Sequence, residues 1–271
     1  MTRVEARQVA RTLRRQFMLS SVTTVFLLLM LVTCCAAALW PNLSPQRTQS
    51  LWSAAMLAGI AWMVLTVLST RQVKSANQAA TYLSAGRLDL AEQELTSALG
   101  SFSLHRTGKL MVCHNLAVVV HGQKNYHAAA ELCDAIIGLH GNVSKSLGRV
   151  CRMLLADCRL FLGDTLAAFK ALQPLLGRDA KLSLTEQMML LPIELRCLVA
   201  QGKYAEAADN LEWKVQRAEL LDSFRSALVH ALLAKSLREL GRNESADFLQ
   251  RRAGLLHDLS ELSKDYAGLL D

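Results

Sequence analysis

Gly163-Asp164-Thr165-Leu166-Ala167-Ala168 and Gly202-Lys203-Tyr204-Ala205-Glu206-Ala207 are two readings of one phrase, and the chain states it five times. The other three run from Gly86 to Ala91 (GRLDLA), Lys124 to Ala129 (KNYHAA) and Gly241 to Ala246 (GRNESA). The closing alanines, Ala91, Ala129, Ala168, Ala207 and Ala246, stand 38, 39, 39 and 39 residues apart. A fixed period in this range is the mark of a repeat architecture, in which each unit stacks on its neighbours because it cannot bury its own apolar face.

The chemistry of the phrase suggests the unit. Glycine supplies the left-handed conformation that ends a helix. The alanine five residues later suits a position where two helices cross closely. Seven residues before each phrase stands another mostly small residue: Ala79, Ala117, Ala156, Leu195 and Ala234. One small position on each side of a turn predicts a helix–turn–helix. Apolar residues at i, i+3, i+4 and i+7 agree, as in Leu110, Cys113, Leu116, Ala117 and Val120, followed by Ala129, Leu132, Cys133 and Ile136. No run alternates with the period of a strand. Pro174 and Pro192 predict local ends or kinks.

Residues 71–257 resemble tetratricopeptide (TPR) repeats, which place small residues at these two positions and an aromatic near the turn. Tyr126 and Tyr204 match that aromatic, whereas Leu88, Thr165 and Asn243 do not. The unit is longer than the family's usual length of about 34 residues, and the family's terminal proline is missing. The resemblance implies a right-handed TPR-like solenoid of about five helical hairpins, which, after the two N-terminal transmembrane helices read from the apolar runs below, makes the expected fold all-α. It also implies a concave groove lined by the first helix of each unit. Carried onto this chain, the groove comprises Met111, His114, Val118, His121, Met153, Asp157, Met189, Arg196, Lys235 and Arg238. Its methionines and basic C-terminal half suit a partly apolar protein or peptide partner carrying acidic residues.

The first 70 residues are of another kind. Phe17 to Leu39 and Leu51 to Ser69 are uncharged runs of the length that crosses a bilayer. Trp40 to Ser50, with two prolines and several polar residues, reads as the connection between them, flanked by Trp40 and Trp52 at interfacial positions. The expected division is a basic arm over 1–16, a transmembrane hairpin over 17–70 (spans about 17–39 and 51–69), repeats over 71–257 and a capping helix or tail over 258–271. Arg3, Arg7, Arg11, Arg14 and Arg15 precede the first span against a single acid, Glu5. The positive-inside rule then places the N-terminus and the repeats in the cytoplasm. Arg14-Arg15-Gln16-Phe17-Met18 also resembles a twin-arginine export signal, but topology control is the preferred reading because a second span follows directly. Two spans before a TPR array is similar to the architecture of bacterial inner-membrane proteins of tetrapyrrole synthesis and exopolysaccharide secretion, which suggests that compartment.

The charge of +7 belongs mainly to the arm. The repeats are close to neutral, without the basic stripe nucleic-acid binding requires. Seven cysteines at irregular spacing do not form a disulfide framework; they read as reduced small hydrophobes. No nucleotide-binding, zinc-protease or nucleophile-elbow motif occurs, so the sequence calls for no catalytic residue, cofactor or metal. The expected function is therefore that of a non-enzymatic, membrane-tethered scaffold or adaptor. Its rival is a transport or secretion component whose hairpin takes part directly, against which neither span carries an ionisable residue.

Overall fold

The computed structural model describes residues 1–38, 44–101, 103, 106–139, 144–177, 180–266 and 268–270, with the side chains of 38, 45, 48 and 68–76 excepted. Helix accounts for 84% of the chain and no strand occurs among the described residues, which settles the all-α class. The elements are α1 (Arg3–Ala38), α2 (Pro45–Ser84), α3 (Leu88–Gly100), α4 (Arg106–Gly122), α5 (Tyr126–Ile137), α6 (Lys145–Phe161) and α7 (Thr165–Leu176), then α8 (Leu184–Ala200), α9 (Tyr204–Ala208), α10 (Leu211–Ala218), α11 (Ser223–Glu239), α12 (Asn243–Leu256) and α13 (Leu259–Asp265). Two compact units, 1–151 and 152–271, divide the chain within α6.

Each of the five phrases is the same turn. The residue at the glycine position has positive φ every time: Gly86 (70°), Lys124 (61°), Gly163 (75°), Gly202 (68°) and Gly241 (74°). The N–H of the following residue bonds to the carbonyl five back, as Asp164 to Arg159 at 2.9 Å and Arg242 to Leu237 at 2.9 Å. The N–H at the glycine position bonds to the carbonyl three back, as Gly163 to Leu160 at 3.0 Å. These paired bonds form a Schellman motif, which satisfies the last carbonyls of the first helix. The residue that completes it is also the N-cap of the next helix, and the carbonyl of Asp164, for example, accepts from the Ala168 N–H at 3.0 Å. Gly163 meets the left-handed requirement without a Cβ penalty, whereas Lys124 adopts it with one.

The packing residues lie where that turn puts them. Ala91, Ala129, Ala168, Ala207 and Ala246 are all fully buried, and so are Ala79, Ala117, Ala156, Leu195 and Ala234. Leu110, Cys113, Leu116, Val120, Leu132, Cys133 and Ile136 join them as core. Leu166, the aliphatic residue within the third phrase, is exposed. All seven cysteines are free, and those at 113, 133, 151, 158 and 197 are buried. Burial pushes the Cys113 and Cys151 thiols up to about 12, which leaves them protonated and inert.

In the first unit, α2 pairs with α3 and α4 with α5, and α1 lies along α2. The N-terminal half of α1 rests on α5 and also touches α3 and α4. The basic arm and the first apolar run are thus one 36-residue helix. At 1.5 Å per residue it is about 54 Å long. Likewise α2 runs unbroken from Pro45 through the apolar run to Ser84, so the expected boundary at residue 70 falls inside a helix. Trp40 and the centre of the expected connection lie outside the described residues, while residues 45–50 are already the first turns of α2.

In the second unit, α8 packs on α9 and α11, and α11 pairs with α12. Ser183 and Glu186 cap α8 reciprocally: Glu186 N–H donates to Ser183 Oγ at 3.3 Å, and Ser183 N–H donates to Glu186 Oε2 at 2.8 Å. Pro192 sits within α8, which continues to Ala200, and Pro174 sits in the last turn of α7. The second helix of the fourth phrase is broken. Asp209 is extended and Asn210 left-handed (φ 49°), which separates α9 from α10. The buried Lys214 ammonium repairs the break by donating to the Glu206 and Ala207 carbonyls at 3.0 and 2.8 Å.

Candidate functional site

The apolar halves of α1 and α2 are long and apolar enough to cross a membrane. Their most apolar windows, with mean hydropathies of 2.2 and 1.7, are only 17% and 11% buried. A core helix of a water-soluble protein would be mostly buried. Here Met18, Val22, Val25, Phe26 and Leu29 on α1, and Met56, Leu57, Ile60, Met63 and Val67 on α2, are exposed. Apolar exposure this extensive is far beyond what a soluble surface normally carries.

The polar end of α1 is built into the helical hairpins. Ala6, Leu13 and Phe17 are buried along one stripe. Arg3 Nε donates to Glu131 Oε1 on α5 at 2.8 Å, and Arg7 Nε and Nη2 donate to the same oxygen at 3.0 and 2.9 Å. Hydrogen bonding from Arg7, and then from Arg3, holds the Glu131 carboxyl below its ordinary pKa. Asn125 Nδ2 donates to the Met1 carbonyl, so the second turn also holds the arm. Arg14 reaches the C-terminal end of α5, where its Nη2 would lie 3.4 Å from a Cβ on Gly138. A cation is favourable at that end of a helix dipole. Lower down, Gln16 Nε2 donates to the Gly100 carbonyl at 3.3 Å, and the Arg106 guanidinium lies 5.7 Å from the Phe17 ring centre. The arm stands off α3 by a cleft of about 570 Å³ with an apolar floor of Val9, Leu13 and Leu99 and an acidic rim of Glu5, Asp89 and Glu92.

The ten residues expected to line a groove fall into two groups. In the first unit, Met111 and Val118 are exposed on α4, seven residues apart and therefore on one face. His114 is buried, with Nδ1 3.5 Å from Cys151 Sγ, and burial lowers its pKa, which favours the neutral ring. His121 packs edge-on against Tyr126 at 5.2 Å, which ties it to the turn.

In the second unit, Met153 is buried in the core, Met189 and Lys235 are half-buried, and Arg238 is exposed, with Nη2 3.2 Å from Asp247 on α12. Asp157 and Arg196, 39 positions apart, form an ion pair in which Arg196 is only 4% exposed. The structure brings these two groove candidates into one ion pair, with Arg196 buried and Asp157 half-buried. The Arg196 guanidinium sits 4.4 Å from the Phe161 ring centre and 4.6 Å from that of Tyr266, beside two aromatic rings that attract a cation. Phe161 and Tyr266 stack at 5.6 Å, and Phe224 on α11 meets Tyr266 at 6.2 Å and His257 at 5.2 Å. Leu269 and Leu270 pack beside them against the buried α8–α11 core. The buried Arg196 Nε makes no hydrogen bond among the described residues. An unmet buried donor costs about 1–3 kcal/mol.

This aromatic cluster escaped the sequence reading, because residues 258–271 were expected only to cap the last repeat. The available signal was Tyr266 followed closely by Leu269 and Leu270, an aromatic and two aliphatic residues in a short polar tail. Among the described residues, no group of three or more His, Cys, Asp or Glu side chains is placed to hold a metal ion.

No known family's sequence profile matches the chain, and neither does any curated protein or solved structure. The functional reading therefore rests on the chain's own geometry.

Proposed function

We propose that this protein is a non-enzymatic, membrane-tethered adaptor: α1 and α2 cross the bilayer, and a TPR-like array on the cytoplasmic side captures a partner protein or peptide. The observation that carries the reading is that the helices with the exposed apolar halves are themselves packing elements of the helical hairpins. Ala79 on α2 and Leu13 on α1 are fully or almost fully buried in that packing, while Met56 and Met18 further along the same helices are exposed. A membrane span continuous with a packed helix fixes the array at the bilayer surface, whereas a flexible linker would let it wander. Repeat arrays offer extended surfaces to partners, and the exposed Met111–Val118 face gives this one an adaptable apolar contact. The arginines of α1 favour the cytoplasmic side, in line with the positive-inside rule, and the likeness of two spans before a TPR array to bacterial inner-membrane proteins favours that membrane.

The test exchanges only the exposed apolar segments. Residues 18–37 and 51–67 are replaced by unrelated transmembrane sequences, and residues 1–17 and 68–84 are kept. Partners co-purified from solubilised membranes are then compared with those of the unmodified chain. An adaptor retains its partner in the exchanged protein. Loss of that partner, with the protein still folded and inserted, contradicts the adaptor reading and favours a hairpin that acts in transport.

A further inference from the structure

Residues 259–270 do more than end the fold. Tyr266 lies over Arg196 at 4.6 Å, against Phe161 at 5.6 Å and near Phe224 at 6.2 Å, so one side chain meets the first-of-pair helices α6, α8 and α11 together. Leu262 is fully buried, and Leu269 and Leu270 rest on the same core. Arg196 and its partner Asp157 belong to the residues that the resemblance to TPR repeats would place in a binding groove. The chain has thus laid a short segment of its own across the face on which such arrays hold peptides. That segment is an imperfect occupant, because among the described residues the buried Arg196 Nε has no acceptor.

Resting on the adaptor reading, we propose that this seat is the docking site for a partner segment in which an aromatic residue is followed at the third and fourth positions by aliphatic ones, and that Leu262, Tyr266, Leu269 and Leu270 occupy it in cis until such a segment displaces them. The partner's aromatic ring takes the place of Tyr266 beside Phe161, Phe224 and Arg196. Its aliphatic pair takes the places of Leu269 and Leu270. A carboxylate or carbonyl beside the ring satisfies Arg196 Nε, an interaction unmade among the described residues and the source of the partner's advantage. Truncating the internal ring lowers the cost of displacement, which raises the apparent affinity for a competitor.

The test uses the full chain in nanodiscs and, as probe, a synthetic peptide with the sequence of residues 257–270. The expected result is that the peptide binds the Tyr266→Ala chain at least about tenfold more tightly than the unmodified chain. A peptide carrying the same Tyr→Ala change does not bind. Independently, amide exchange over 262–266 in the unmodified chain runs at least about a hundredfold faster than over 232–237 in α11, as expected of a segment that opens locally. Exchange at the α11 rate, or peptide binding that ignores the tyrosine, makes the segment a permanent cap and overturns the proposal. A dimer that dissociates on Tyr266→Ala assigns the seat to a second copy and overturns it too. None of these outcomes bears on partner capture by the Met111–Val118 face, so failure here and failure of the adaptor reading remain separable.

Discussion

Arg7 and Glu131 lie 124 residues apart in the chain and meet at 2.9 Å, joining the helix that carries the first apolar span to the second helix of a repeat hairpin. Both side chains are partly exposed, so the pair contributes less than about 1 kcal/mol to global stability. Its effect is local. Glu131→Gln, which keeps a carbonyl acceptor but removes the negative charge shared by Arg3 and Arg7, is expected to speed amide exchange over residues 3–16 several-fold while leaving the melting temperature nearly unchanged. Because the folded pKa of Glu131 lies below its ordinary 4.5, the contribution is full above that value and is lost as pH falls through the depressed one. Protection of the arm should therefore decline on acidification in the unmodified chain and vary less in Glu131→Gln.

The buried alanines give a prediction about packing. Ala129→Leu or Ala246→Leu forces extra methylene groups into a fully buried helix crossing. Each should cost about 1–3 kcal/mol in denaturant unfolding. The same substitution at the exposed Ala80 should cost almost nothing.

The turns give a prediction of opposite sign. Lys124 is the one non-glycine residue at the left-handed position of the five phrases. Lys124→Gly should stabilise the protein by up to about 1 kcal/mol, and Gly163→Ala should destabilise it by about 1 kcal/mol, both read from thermal melts.

How far the fold was legible follows from the range of the interactions involved. Gly163 and Ala168 act within one turn and its helix crossing, so their period shows in the sequence and the structure repeats it. The arginines of α1 were legible as a charge bias only. Their partner Glu131 is distant in sequence, and nothing local distinguishes a docked arm from a loose one. Asp157 and Arg196 were placed in one row by the repeat spacing, but that spacing carries no information about burial, which Phe161 and Tyr266 impose. Charge reversal at Arg196 would therefore disturb the fold as well as any binding. The break at Asp209–Asn210 was hidden for a similar reason: the Lys214 ammonium that heals it reads in sequence as an ordinary surface charge.

Lys109 offers a pH test. It is buried, donates to the Leu99 carbonyl at 3.3 Å, and burial lowers its pKa to about 8 from an ordinary 10.5. Between those values the unfolded chain binds more protons than the folded one, so stability rises with pH across that window, and below about 8 the folded state bears the full cost of the buried charge. Lys109→Met should accordingly raise the melting temperature at pH 7 by a few degrees. The increment should shrink as pH is raised towards 10. An increment independent of pH would mean that the ammonium carries no such cost.

The central claim, that the helical hairpins of a membrane-anchored chain capture a partner through the first-helix face, is tested most directly by photo-crosslinking in native membranes. A photoreactive residue is placed at Met111 or Val118 on α4, or at the exposed Leu255 on α12 as a comparison. The account predicts one defined adduct polypeptide from positions 111 and 118, absent from position 255. No adduct from 111 and 118, or the same adducts from all three positions, would contradict it.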